Sequence, residues 1–413
     1  MPVIARELFD EQYYLDRYPD IAEAVHSQRL DSGWQHYSKM GESEGREAFR
    51  FDEEFYLGTY PLAGRDIDAG LALSARDHFI RYGYSRGYLS HAKAPRPDNA
   101  ARLPLRFGGF WPDFPNALDV VAGKLDAGLI TRRQAELLRH WIANGYVILE
   151  SAIAGELVDR AREVLDAAYE GKFPQMRFEC HAVSTSEIKW CPEINPHPAK
   201  ALDIHYFSRV VRDLIFADRV TEFLGLLFDA RPFASQSLGF LRGSAQEPHQ
   251  DSAYVAYSIP RQFAASWIAL EDVTPLAGEL FYYVGSHRRL EDFLYCERYK
   301  SVAEATRLTG ETQFRPQIER HVASLQERCE SLGITKQTFL AKRGDVLIWH
   351  ADLVHGGQPV SHDVTRKSIV THYCPKHLVP LFMDARPGLP MHRHGDGHWH
   401  TSAHYGHTLD PMD

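Results

Sequence analysis

The strongest constraint on the fold of this chain is a His-Gln-Asp triplet, His249 to Asp251, followed far along the sequence by His355 and Arg366. Side chains at positions i and i+2 of a strand lie on the same face, so an extended backbone directs His249 and Asp251 toward one point. Apolar and aromatic stretches typical of strands accompany both halves of this set: 263–270, 280–284, 338–340 and 346–349. The pattern predicts an antiparallel barrel or jelly roll.

The residue types in this set are those of a metal site. Two neutral imidazoles and one carboxylate form the facial set that holds Fe(II) and leaves coordination positions open. A second triplet, His394-Gly395-Asp396, lies in a tail rich in glycine and histidine that has no apolar strand pattern. We interpret the second triplet as non-ligating. The tail histidines are interpreted as exposed or packing residues, with adventitious metal binding as the alternative.

Four segments together carry a family resemblance: Glu247-Pro-His-Gln-Asp251, Trp267-Ile-Ala-Leu-Glu-Asp272, Gly285-Ser-His287, and Gly344-Asp345 leading through His350 and His355 to Arg366. On these segments, the stretch from about residue 129 to 375 resembles the phytanoyl-CoA dioxygenase family of iron and 2-oxoglutarate oxygenases. The resemblance implies a catalytic double-stranded β-helix, or jelly roll. It also implies that His249, Asp251 and His355 bind iron.

The resemblance assigns roles to further residues. Arg366 matches the arginine that anchors the distal carboxylate of 2-oxoglutarate, a role suited to a bidentate guanidinium. Trp267 matches a tryptophan that lines the cosubstrate pocket, although a plain core role competes. Gln236 and Lys189 are candidates for another cosubstrate contact. One departure is Gly357, where family members often carry a small hydroxyl residue that helps to hold 2-oxoglutarate.

Three neighbouring residues have less specific interpretations. Tyr254 and Tyr257 follow the triplet, and substrate contact and packing are equally open for both. His350 is five residues before His355, so the strand period directs these two side chains to opposite faces. We therefore predict a structural or supporting role for His350.

The activity that the resemblance implies is hydroxylation of a C–H bond, coupled to decarboxylation of 2-oxoglutarate to succinate. Its cofactors are Fe(II) and 2-oxoglutarate, with ascorbate as a candidate reductant. The substrate is expected to be a small molecule or a carbohydrate-linked compound. One alternative is an inactive jelly-roll scaffold whose N-terminal repeats bind proteins or glycans. Another is a cupin-type metalloenzyme that needs no 2-oxoglutarate, which Arg366 argues against.

Composition narrows the classes of partner and compartment. The 413 residues favour two domains, and a net charge of -9 with a pI near 6.2 argues against a nucleic-acid partner. Five cysteines without Cys-X-X-Cys spacing favour free thiols. The first residues show no secretory leader and no apolar run is long enough to span a membrane, so we expect a cytoplasmic protein.

Residues 1–91 contain an internal repeat with a period of 42 residues, the offset between Phe9 and Phe51. In each copy Asp10 or Asp52 is expected to cap a helix, Tyr-Pro to redirect it, and a second short helix to end at a glycine. The repeated aromatic residues are interpreted as core, with ligand stacking as the alternative. The copies resemble short modules of bacterial proteins that handle cell-surface polysaccharide.

The predicted fold class is therefore α+β, with helices that buttress the jelly roll and a small all-α repeat domain before it. The predicted domains are the repeats at 1–91, a linker at 92–116 that is expected to dock in part, and the oxygenase domain at 117–413. An insertion at about 288–334 separates the two halves of the metal set and is expected to act as a substrate lid. Helices are expected near these ranges: 131–144, 155–168, 210–228 and 316–329. Thr131 is expected to cap the first of these helices, and Gly145 to end it before a strand at 146–149.

Overall fold

The computed structural model describes most of the chain: residues 6–27, 29–84, 90–91, 109–255, 257, 261–290, 311–360, 364–378, 380, 383, 389–395 and 397–409. The chain divides into two compact units. One unit comprises residues 1–107 with 114–120, and the other comprises residues 108–113 with 121–413.

The first unit is helical in its described part, and its elements recur with the sequence period. Asp10 and Asp52 each accept a hydrogen bond from a backbone N–H in the first turn of a helix, which satisfies a donor that the helix leaves unpaired. The two copies carry helices at corresponding positions: α1 Glu11–Arg17, α2 Pro19–His26 and α3 Gly33–His36, then α4 Glu53–Thr59, α5 Pro61–Asp68 and α6 Ala75–His78. π-Helical turns follow at Tyr37–Gly41 and Phe79–Gly83.

A buried tyrosine explains one of the repeated glycines. The Tyr14 hydroxyl lies 2.9 Å from Nδ1 of His36, and a Cβ at Gly41 would collide with that hydroxyl. Glycine is therefore required where the turn closes over the tyrosine. The second copy repeats this arrangement with Tyr56, His78 and Gly83.

Helices of the second unit support its sheets. Thr131 and Gln134 form a capping box at the start of α8 (Arg132–Asn144), and Gly145 ends this helix in the left-handed conformation. Both helix ends agree with the sequence-based prediction. The prediction of one helix over 210–228 is wrong, because the backbone at Ala217 is extended and a new helix begins at Asp218. The helices are α7 Ala117–Asp126, which begins in the first unit, α8 Arg132–Asn144, α9 Gly155–Tyr169, α10 Arg209–Ile215, α11 Asp218–Phe228, α12 Ser286–Arg289 and α13 Glu311–Ser331.

Two largely antiparallel sheets form the body of the second unit. The strands are β1 Tyr146–Leu149, β2 Arg177–Glu179, β3 Ile188–Lys189, β4 Lys200–Leu202, β5 Pro232–Phe240, β6 Ala264–Ala269, β7 Leu280–Tyr283, β8 Lys336–Phe339, β9 Val346–His350, β10 His355–Gly357, β11 Ser368–Pro375, β12 His392–His394 and β13 His398–His400. The large sheet has the order β1-β9-β6-β11-β5-β4-β2-β3, with the β12–β13 hairpin added to β5 through β13. The small sheet has the order β10-β7-β8.

The two sheets pack on each other through one apolar cluster. This cluster includes Trp267 and Leu347 of the large sheet and Leu280 and Tyr282 of the small sheet. All four side chains are buried. Burying such side chains stabilises the fold by roughly 1.5–3 kcal/mol for each residue. This packing holds strands from both halves of the predicted metal set around one interior.

Two expectations change in the structure. Asp251 begins a short 3₁₀ helix, so the His-Gln-Asp triplet is not part of a regular strand. The tail, predicted without strands, forms the β12–β13 hairpin. Residues 109–116 of the predicted linker include the buried Phe110 and Trp111, whereas 92–108 lie outside the described residues.

Two further expectations concern cysteines and membranes. Cys180, Cys191, Cys329 and Cys374 are free thiols, and Cys296 lies outside the described residues. Among the helices in the described part of the chain, none combines the length and the apolar character needed to cross a bilayer.

Candidate metal centre and cosubstrate cavity

Backbone pairing brings the two halves of the metal set together. His249 N donates to His355 O at 2.9 Å, and His355 N donates to His249 O at 3.0 Å. Gln250, between the first two ligand candidates, has an extended backbone. Its side-chain Nε2 donates to the backbone carbonyl of Asp352 at 2.9 Å. The i and i+2 alternation expected of a strand therefore holds locally, although only an isolated bridge joins the segments.

Three potential ligand atoms converge in a buried position. The nitrogen and oxygen atoms offered by His249, Asp251 and His355 all lie within 4.8 Å of one another. Oδ1 of Asp251 is 3.5 Å from Nε2 of His249 and 3.6 Å from Nε2 of His355. Among the described residues, this is the one group of three or more His, Cys, Asp or Glu side chains with such geometry.

Hydrogen bonds to the backbone set the tautomer of both imidazoles. Nδ1 of His249 donates to Glu247 O at 2.8 Å, and Nδ1 of His355 donates to Leu353 O at 2.9 Å. In a neutral imidazole, this leaves the Nε2 lone pair for a metal. Burial lowers the pKa of His355 to about 4, so its ring is neutral near pH 7. The donor set fits Fe(II).

The other face of Asp251 is held by aromatic residues. Trp349 Nε1 donates to Oδ2 of Asp251 at 2.8 Å, and Nε2 of the buried His372 lies 3.5 Å from the same oxygen. Burial acts to raise the pKa of Asp251, but the neighbouring imidazoles outweigh it and hold that pKa well below the usual value. The carboxylate is therefore ionised and oriented. Neither Trp349 nor His372 was predicted from the sequence.

A cavity of about 930 Å³ opens beside these residues. It is large enough for a cosubstrate and a small organic substrate. Its wall contains all of the ligand candidates together with polar and apolar side chains from both sheets. The lining includes Gln236, Ser244, His249, Asp251, Tyr254, Trp267, Trp349, His355, Arg366 and His372.

Arg366 is a buried cation without a carboxylate partner among the described residues. It is 2% exposed, one terminal nitrogen donates to Gly278 O, and Nε has no hydrogen-bond partner. Its guanidinium lies over the ring of Trp267, 5.5 Å from the ring centre. Burial lowers the pKa of Arg366 to about 10, which still leaves it charged at neutral pH. A buried guanidinium in a cavity calls for an anionic ligand.

The remaining cosubstrate candidates have different positions. Trp267 belongs to the apolar cluster between the sheets and also lines the cavity, so the two competing interpretations are compatible. Gln236 lines the cavity from β5, opposite His372 of β11. Lys189 is exposed in β3 and is not among the described lining residues.

Gly357 has no room for the expected hydroxyl side chain. A Cβ at this position would lie 2.8 Å from Oγ of Ser244 and 3.0 Å from the backbone N of Ala245. Ser244 therefore supplies a hydroxyl in the space that a longer residue at 357 would enter, and it lines the cavity. No local sequence signal marked Ser244, because its position follows from the return of β10.

Tyr254, Tyr257 and His350 separate into two classes. Tyr254 is half exposed and lines the cavity, whereas Tyr257 is buried and its hydroxyl bonds to Ser235. His350 is buried outside the cavity lining, with Nε2 3.2 Å from Asp113 and Nδ1 accepting from the backbone N of Asp352. These contacts support a structural role for His350.

The insertion helix contacts the residue between the first two ligand candidates. Nε2 of His321 in α13 donates to Oε1 of Gln250 at 2.9 Å. Farther along α13, Leu325 and Cys329 pack in an apolar cluster with Phe281 of the small sheet. Residues 291–310 lie outside the described residues, and the lid role stays a prediction.

The tail histidines pack rather than converge. Nε2 of His394 lies 2.8 Å from Oδ1 of Asp213, and His398 stacks on Phe216 at 4.8 Å. His400 is 1% exposed. His394 thus contacts Asp213 and does not belong to the three-residue ligand group of the described residues.

Comparison with known proteins identifies a family match. The model of the phytanoyl-CoA dioxygenase family (PhyH) matches residues 141–368, which include His249, Asp251, His355 and Arg366. Phytanoyl-CoA dioxygenase 1 of Oryza sativa subsp. japonica is 24% identical over 277 residues, covering 60% of this chain and 89% of the relative. Phytanoyl-CoA dioxygenase of Arabidopsis thaliana is 30% identical over 89 residues, covering 21% of this chain and 31% of the relative.

Solved structures also resemble the chain. The epimerase SnoN in complex with Fe3+, alpha ketoglutarate and nogalamycin RO is 17% identical, with a TM-score of 0.45 and coverage of 65% of this chain and 98% of that chain. EctD from S. alaskensis with 2-oxoglutarate and 5-hydroxyectoine is 18% identical, with a TM-score of 0.43 and coverage of 69% and 87%.

Proposed function

Since the chain belongs to the phytanoyl-CoA dioxygenase family, we propose that it is an Fe(II)- and 2-oxoglutarate-dependent dioxygenase that hydroxylates a C–H bond of a small molecule. The observation that carries this proposal is the buried group of His249, Asp251 and His355, whose imidazole tautomers are set by backbone carbonyls. Iron bound there with 2-oxoglutarate supplies the oxidant for C–H hydroxylation.

The residues of the chain divide the remaining work. His249, Asp251 and His355 hold the metal, Arg366 pairs with the distal carboxylate of 2-oxoglutarate, and Trp267 packs against that guanidinium. Gln236 and Ser244 add polar contacts in the same cavity. All three metal-holding side chains are buried, and this low-dielectric setting strengthens their electrostatic interactions. Ascorbate is kept as an auxiliary reductant.

Conversion of 2-oxoglutarate to succinate tests the proposal. The purified chain is expected to form succinate in an Fe(II)-dependent manner, and Asp251→Ala is expected to abolish this. The matched control is His394→Ala in the second His-X-Asp triplet, which is expected to retain wild-type succinate formation. Unchanged turnover by Asp251→Ala would remove the assigned ligand, and full iron occupancy without turnover would favour the inactive scaffold.

We also propose that residues 1–91 form a module of two repeats that binds a protein or a glycan. Corresponding helices in both copies support the repeat, and the shared tyrosine-histidine contact supports a common packing plan. A glycan-linked substrate is the companion hypothesis for the cavity. Deletion of residues 1–91 is expected to remove such binding and to leave Fe(II)-dependent succinate formation in the remaining chain.

A further inference from the structure

A C-terminal segment outside the family match forms part of the cavity wall. The match ends at residue 368, whereas β13 pairs in parallel with β5, the strand that carries Gln236. The chain then continues along the sheet, where Thr401 N donates to Ala234 O at 3.0 Å. Three residues later, His404 lines the cavity. His404 is therefore a lining residue that lies outside the matched segment.

His404 is held in place by several contacts. Its Nδ1 lies 3.2 Å from Glu187 Oε1, and its backbone N donates to Ser402 Oγ at 2.9 Å. The Ser402 hydroxyl in turn donates to the buried carboxylate of Asp203. Only 15% of the His404 side chain is exposed. The imidazole is thus positioned by the fold, which reduces the entropy that a ligand must overcome.

Charges on this wall are already paired. Lys200 Nζ lies 2.9 Å from Glu179 Oε1, and Nε2 of His181 lies 3.0 Å from the same oxygen. Glu187 is 3.0 Å from Arg177 on the side opposite His404. Lys200 and Arg366 are the two Lys or Arg side chains among the described lining residues. Arg366 lies at the cosubstrate end in the proposed function.

This charge pattern selects against a highly anionic ligand. A CoA thioester carries several phosphate charges, which are bound by unpaired cations. The wall instead presents the held imidazole of His404, ion-paired carboxylates and the lining hydroxyls of Thr185 and Ser186. Such groups donate to and accept from ligand hydroxyls, and a site built for hydroxyls discriminates strongly against ligands that lack them.

We propose that the wall formed by Glu179, Glu187, Lys200 and His404 binds an uncharged, hydroxyl-rich end of the substrate. This inference rests on the proposed oxygenase function, because it concerns the same cavity. His404 is its specificity-determining residue. The C-terminal segment therefore contributes directly to the choice of substrate.

The test uses the full chain and three neutral probes, methyl β-glucoside, methyl α-mannoside and myo-inositol, against phytanoyl-CoA. At least one neutral probe is expected to stimulate Fe(II)-dependent succinate formation, and phytanoyl-CoA is not. Calorimetry is expected to show at least about tenfold weaker binding of that probe to His404→Ala. His404→Gln, which keeps hydrogen-bonding groups, is expected to recover part of the affinity, and exposed His407→Ala is expected to bind as wild type.

Distinct outcomes separate the two proposals. If no succinate forms with or without probes, the oxygenase proposal fails. If succinate forms without added substrate but none of the neutral probes stimulates it or binds, the hydroxyl-rich substrate class is wrong. Stimulation by phytanoyl-CoA, or equal probe affinity in wild type and His404→Ala, would also overturn the inference.

Discussion

The two His-X-Asp triplets share a sequence pattern and differ in the contacts that the fold supplies. Nδ1 of His249 donates to a backbone carbonyl, and its Nε2 lies near Asp251. The ring of His355, from a remote part of the sequence, lies beside it. In the tail, Nε2 of His394 instead lies against Asp213 of α10. The same motif can therefore bind a metal only where the fold sets the histidine tautomer, buries the ligands and brings a third ligand from a distant part of the sequence.

Removal of His355, the third ligand candidate, is expected to have the largest effect on Fe(II) binding at the first triplet. His355→Ala leaves the first triplet with two ligands, so its Fe(II) affinity is expected to fall by more than the roughly 10–100-fold typical of losing an outer partner. Equilibrium Fe(II) binding under anaerobic conditions measures it. His398→Ala, beside the second triplet, is the control and is expected to bind iron normally. Normal iron binding by His355→Ala would show that the triplet alone suffices.

Acid is expected to weaken the attachment of the tail that carries the second triplet. His205 accepts from Ser237 and donates to Thr401 O, and burial lowers its pKa from 6.5 to about 3. Between these values the unfolded chain binds more protons. The free energy of unfolding is therefore expected to fall as the pH is lowered below about 6.5, by up to about 1.4 kcal/mol per pH unit from this group.

Urea denaturation from pH 7 to pH 4 measures this effect. His205→Asn is expected to flatten the pH dependence, whereas exposed His407→Ala is expected to leave it unchanged. An identical slope in wild type and His205→Asn would assign the acid sensitivity to other groups.

Helix ends and the main site residues could be predicted from the sequence, because capping and residue spacing are local signals. Thr131 and Gly145 marked the ends of α8, and the strand at 146–149 follows directly. The predicted ligands lie together in the structure, and Arg366 and Trp267 line the same cavity.

The helix break at Ala217 and some cavity residues depend on tertiary contacts, which leave no local signal in the sequence. The break at Ala217 within a continuous apolar pattern had no glycine or proline to mark it. Ser244 and His404 reach the cavity through chain returns that no spacing reveals. His372 had a usable signal, because it is an even number of residues after Arg366 in the same strand pattern.

The tryptophan beside the first triplet offers a sharper test of its surroundings. Trp349→Phe removes the hydrogen bond to Oδ2 of Asp251 and keeps most of the ring volume. Fe(II) affinity is expected to fall about 10–100-fold, the range for partners that orient a ligand. Trp399→Phe in the tail is the matched control. Equal iron affinity in both variants would mean that the tryptophan contact does not orient the carboxylate.

The smallest expected effect concerns the hydroxyl beside Gly357. Ser244→Ala removes the hydroxyl that lies in this space. The KM for 2-oxoglutarate is expected to rise roughly 2–10-fold, which corresponds to the loss of one hydrogen bond of about 0.5–1.5 kcal/mol. Initial rates of succinate formation measure this value. Ser252→Ala is the control, because Ser252 is not a described lining residue. An unchanged KM would remove Ser244 from the cosubstrate site.

The number of Fe(II) ions bound per chain, measured in variants that each lack one histidine, tests most directly whether the first triplet binds the metal and the second does not. Anaerobic titration is expected to give one tightly bound Fe(II) per chain for wild type and His394→Ala, and none for His249→Ala. Retention of that ion by His249→Ala, or its loss from His394→Ala, would contradict the assigned metal centre.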